Sequence, residues 1–73
     1  MDEDELKERL LKENQAFKKL FKEHQSYEKK LEKLTSKSFL TDEEVLEEKD
    51  LKKRKLALKD RMYLLMTEFR KSL

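Results

Sequence analysis

Along the first half of the chain, Leu6, Leu10, Phe17, Leu20, Tyr27, Leu31 and Leu34 recur at alternating steps of four and three, with Glu13 and His24 in the two polar slots. A repeat of about 3.5 residues puts all of these positions on one narrow helical stripe, a seam of the coiled-coil kind. Leu11 and Phe21 lie beside the seam and widen it. The second half repeats the logic. Leu51, Lys55, Leu58, Met62, Leu65 and Phe69 form its seam, with Val45, Leu56, Tyr63, Met66 and Leu73 along the flank. The rhythm stops between Thr35 and Glu44, and the stop ends in a helix-start signal. There Thr41 and Glu44 stand three apart, as a capping box requires, while Leu40 and Val45 can close the turn as a hydrophobic staple. Asp2 with Glu5 repeats the capping pattern more weakly.

The pattern therefore predicts an all-α chain that folds back once: an antiparallel two-helix hairpin, coiled-coil-like, in a single domain. The boundaries expected are a first helix over about 3–35, a turn over about 36–41 and a second helix over about 42–72. Each helix would run roughly 45–50 Å at 1.5 Å per residue. Charge favours the same pairing. Residues 1–10 carry five acids against two bases, residues 42–50 six against one, and residues 51–73 eight bases against two acids. Each helix begins acidic and ends basic, complementing its own dipole, and antiparallel packing sets acidic starts beside basic ends. With the turn centred near Ser38–Phe39, facing positions sum to about 79, an estimate from helix geometry. Phe17 then meets Met62, Leu20 meets Leu58, Tyr27 meets Leu51, Leu10 meets Phe69, and His24 faces Lys55 in a polar layer. Phe39 is expected to fold over the hairpin end against Leu34 and Val45, with an exposed contact for another protein as the alternative.

One stretch has more apolar surface than a hairpin can cover. Met62-Tyr63-Leu64-Leu65-Met66 is apolar all round, and such a helix is normally buried all round. Its position opposite Leu6, Leu10, Leu11 and Phe17 predicts a homodimer, a four-helix bundle joined at the open ends. Burying four more large side chains there would contribute about 6 kcal/mol per chain, against a core margin of roughly 3–5 kcal/mol for so small a chain.

Composition narrows the class. With 73 residues the chain makes one small domain, and 49% of residues are charged while the net charge is only +2. That balance does not point to nucleic acid or membrane as a strongly one-signed chain would. Glycine, proline and cysteine are all absent, so neither a disulfide framework nor a Cys-ligated zinc site is available. No apolar run approaches the roughly 18 residues of a membrane span, and the acidic start differs from a basic signal-peptide start. A cytoplasmic protein without a membrane segment is expected.

The residues also carry a likeness. The stretches Leu11–Leu31, Phe39–Glu44 and Leu51–Met62 resemble the YdcH-like family of small bacterial proteins. The first helix of that family carries a Phe, a Leu-Phe pair and a His, matched by Phe17, Leu20, Phe21 and His24. Its second helix carries a lysine-rich string matched by Lys52, Lys53, Lys55, Leu56, Leu58, Lys59 and Asp60. Asp42 and Gln15 stand where relatives carry proline. The resemblance implies a short helical protein of unknown function and transfers no activity or active site.

No reaction is specified by the residues themselves. His24 is the only histidine. As a general base it would need a nucleophile and an orienting acid around it, and as a ligand it would need partners that Glu23 and Glu28 supply poorly. It reads better as a core-edge residue fixing register. Glu13 reads as a carboxylate pairing with a base such as Arg61 or Lys12. Lys52-Lys53-Arg54-Lys55 splay about 300° around a helix at 100° each, so they do not form one patch. The leading expectation is a non-enzymatic structural or protein-interaction module with no cofactor, metal or small-molecule substrate, acting through helix-face packing. Its oligomer or partner interface would be Leu6, Leu10, Leu11, Phe17, Met62, Tyr63, Leu64, Met66 and Phe69. The alternative is a nucleic-acid- or ribosome-associated accessory protein, contacting phosphates through Lys18, Lys19, Lys22, Lys52, Lys53 and Arg54.

Overall fold

A computed structural model describes residues 2–73. It contains three helices: α1 (Glu3–Glu13), α2 (Gln15–Thr35) and α3 (Asp42–Lys71). The helices α2 and α3 lie antiparallel along each other. Phe17, near the start of α2, packs with Met62 and Met66, while Leu31 and Leu34 near its end pack with Leu51. The molecule measures 48 × 20 × 16 Å, about the length of α3 alone.

The expected first helix over 3–35 is broken at Asn14, which corrects the two-helix picture to three helices. Asn14 is extended, with φ −120° and ψ 109°. Its backbone N–H donates to the Leu10 carbonyl at 2.8 Å, ending α1, and its carbonyl accepts from Lys18 N–H at 3.0 Å, starting α2. Its side-chain oxygen accepts from Phe17 N–H at 3.0 Å. One residue thus closes one helix and caps the next, and asparagine is among the strongest N-caps. The α1 helix turns back along the α2–α3 pair. Lys7 and His24, which a straight helix would hold about 25 Å apart, line one cavity of about 100 Å³.

The second start signal forms as a capping box. Glu44 N–H donates to Thr41 Oγ1 and Thr41 N–H donates to Glu44 Oε1, both at 3.1 Å. Lys37 reaches across the turn to pair with Glu44. That contact, then the Thr41 N–H, holds the Glu44 carboxyl below its ordinary pKa. Leu40 packs on the cluster at this end. Phe39 does not fold over it, contrary to expectation: it is 91% exposed.

Candidate interaction surface

The open end is a sealed core. Leu6, Leu10 and Phe17 are 1%, 0% and 0% exposed, and Met62 and Met66 complete the cluster with Leu11, Leu20, Phe21, Leu65 and Phe69 packed around it. Leu6 and Leu10 from α1 cover Met62 and Met66 within the chain. Arg9 ties the same helix to α3, its guanidinium lying 5.4 Å from the Phe69 ring centroid. Of the nine residues expected at a partner interface, Leu6, Leu10, Phe17, Met62 and Met66 are therefore buried inside the chain, and Leu11 and Phe69 are half-buried. Tyr63 and Leu64 alone among them stay largely open, at 48% and 61% exposure.

A different apolar line emerges on α3. Leu46 is 66% exposed and Leu56 59%. Leu46 and Leu64 stand 18 residues apart, five full turns, and so share one azimuth. Leu56 and Tyr63, seven apart, occupy the adjoining strip. Helix periodicity puts Leu56 and Tyr63 on the flank of the seam and Leu46 and Leu64 on the outer face.

At mid-length lies a polar layer. Glu28 Oε1 sits 3.4 Å from Lys55 Nζ and 3.8 Å from His24 Nδ1. The Nε2 atom of His24 is buried and has no hydrogen-bond partner among the described residues. Glu28, absent from the predicted layer, is thus its centre. It occupies the helical position four after His24, a spacing that places two side chains on one face. Glu13, expected to pair with Arg61 or Lys12, instead lies 3.7 Å from Arg9.

The six candidate phosphate contacts are not brought together. Lys18, Lys19 and Lys22 share a shallow depression with Gln15 on α2. Lys52 lines a groove on one side of the α2–α3 pair. Arg54 lines the other side with Glu23, Tyr27 and Arg61. Lys53 is exposed. Arg54 has its pKa raised by the Tyr27 hydroxyl and then by Asp50, whose carboxylate lies 3.0 Å away. Among the described residues, no group of three or more His, Cys, Asp and Glu side chains is placed to hold a metal ion. No helix among the described residues is long and apolar enough to cross a membrane.

The fold defines a small all-helical protein. Residues 17–66 match the family described as "Protein of unknown function (DUF465)", which is more than half the chain, and the protein belongs to that family. The match spans most of the α2–α3 pair and leaves α1 outside it. No curated protein and no solved structure matches the chain.

Proposed function

We propose that this is a non-enzymatic structural or protein-interaction module of the YdcH-like bacterial type, working in the cytoplasm through helix-face packing and self-associating as a homodimer. The observation that carries the reading is the set of exposed apolar residues on α3: Leu46 and Leu64 on its outer face, with Tyr63 next to Leu64. These side chains project from a helix whose opposite face is already packed, so a further helix is what they fit. Surface area points the same way. The chain exposes 5946 Å², whereas a compact protein of its 9.0 kDa would expose about 4,900 Å². The excess of roughly 1,000 Å² is the size of one side of a standard interface.

In the dimer, the outer line of α3 lies against the same line of a second copy, an isologous contact. Two antiparallel α2–α3 pairs then form a four-helix layer, with each α1 sealing its own open end. Sedimentation equilibrium at micromolar concentration is expected to report a dimer, and Leu64→Glu or Tyr63→Glu to give a monomer with unchanged helix content. Both positions are exposed, so the substitutions leave the core alone. A wild-type monomer at hundreds of micromolar would remove the dimer.

A further inference from the structure

The groove beside the α2–α3 pair has a character that the dimer line lacks. It is lined by Leu31, Thr35, Lys52, Lys55, Leu56 and Lys59, with a volume of about 470 Å³. Lys59 also borders the smaller cavity next to it, where Lys7 and His24 add two more basic groups over Phe21, Met62, Tyr63 and Met66. No acidic residue lines either one, although the whole chain carries 17 acids against 19 Lys and Arg. Lys52 and Lys55 rest on Glu48 and Glu28, whereas Lys59 has no ion pair among the described residues. The two cavities run from Lys52 to Met66 along α3, a length of about 21 Å.

The neighbouring open end already accepts one amphipathic helix through its apolar face. α1 packs across α2 and α3 at the open end, burying Leu6 and Leu10. It is an acidic amphipathic helix: residues 2–13 carry six acids against three bases. Its Lys7 lines the cavity that adjoins the open groove, so the groove continues the seat from the point where α1 ends. Beyond that seat the groove has its own lining: the exposed Leu56 beside the buried Leu31, with Lys52, Lys55 and Lys59 along its edge.

We propose that this groove is a docking site for an acidic amphipathic helix of about three turns from a partner protein, laid beside α1 with its leucine-type side chains on Leu31 and Leu56 and its carboxylates on Lys52 and Lys59. This is helix-in-groove recognition, with charge setting orientation and partner choice. It rests on the reading of the protein as an interaction module; Tyr63 borders both surfaces, whereas Leu64 lines neither cavity of the groove.

The probe is a fluorescein-labelled peptide of residues 2–14 of this chain, a helix of the stated chemistry. Fluorescence anisotropy at low salt with the full-length protein is expected to show binding that weakens at least tenfold with Leu56→Glu and with Lys59→Glu. Leu64→Glu should leave it unchanged. A peptide with its acids replaced by glutamine should bind at least tenfold more weakly. NMR shifts are expected at Leu31, Thr35, Leu56 and Lys59. Absence of binding at millimolar peptide, or affinity indifferent to Leu56→Glu, overturns the proposal. So do shifts confined to Leu6, Phe17 and Met62, which would mean that the peptide merely replaces α1. A single-stranded oligonucleotide that displaces the peptide and depends on Lys59 but not on Leu56 also overturns it, in favour of phosphate binding. If the peptide fails while Leu64→Glu still dissociates the dimer, the docking site falls and the module reading stands.

Discussion

The two ends of the molecule are built from the same kinds of residue and reach different degrees of closure. At the turn, Leu31, Leu34 and Leu51 form a cluster between two helices, and each keeps 5–8% of its surface. At the open end, Leu6, Leu10 and Phe17 lose essentially all of theirs. A pair of helices presents two stripes to each other and leaves both edges of the seam exposed. Closing an edge takes a third element, and here eleven residues of α1 supply it. Along most of the remaining length nothing does, and that is where Leu56 and the lysine-fringed groove lie.

The sharpest way to break the comparison is to make one substitution at both ends. Leu10→Ala is expected to cost about 4 kcal/mol and Leu34→Ala about 2 kcal/mol, because the more enclosed site cannot relax around its cavity. Urea denaturation followed by circular dichroism reads both. With a margin of roughly 3–5 kcal/mol for a chain this small, Leu10→Ala should leave much of the protein unfolded. Equal losses would mean that α1 contributes no extra enclosure.

Asn14→Ala should have the next largest effect. It removes the α2 cap, worth about 1 kcal/mol, and puts the best helix former at the joint. Small-angle scattering is expected to show a radius of gyration above the native 15.0 Å, as straightened molecules become populated. Thr41→Ala acts at the other end and should cost about 1 kcal/mol by breaking the capping box. Glu44 adds a pH dependence there. Its folded pKa is depressed by Lys37 first and then by the Thr41 N–H. Its contribution is therefore complete above the unfolded pKa and is lost as pH falls through the folded one. Glu44→Gln should remove that part of the acid titration of stability.

The smallest change concerns the polar layer. His24→Leu replaces a buried nitrogen that has no partner among the described residues and should raise stability by up to about 1 kcal/mol. A large loss instead would show that the His24–Glu28–Lys55 contact outweighs the unsatisfied atom.

The α3 helix was legible because its start carries two mutually satisfying side chains, Thr41 and Glu44, placed just ahead of a periodic run. The facing of Phe17 with Met62 and of Tyr27 with Leu51 followed from charge and spacing. The break at Asn14 was hidden for a physical reason. Periodicity reports which face a residue lies on and is blind to whether the backbone is continuous. Here Leu6 and Leu10 keep the same heptad phase as Phe17 and Leu20 across the joint. The available signal was an acid in the seam, Glu13, followed directly by a strong cap residue. The joint decides which apolar residues are covered within the chain: Met62 and Met66 lie under α1, while Tyr63, Leu64 and Leu56 stay exposed. Phe39, a turn residue with no staple role, takes the exposed alternative.

The central claim is that α1 folds back at Asn14 and seals the open end within one chain. Spin labels at the exposed positions Asp4 and Gln25 test it by electron–electron distance measurement on a dilute sample. Two helices packed 8–10 Å apart should give a label separation below about 20 Å. A distance of roughly 30 Å or more, as 21 residues of straight helix would produce, would contradict the account.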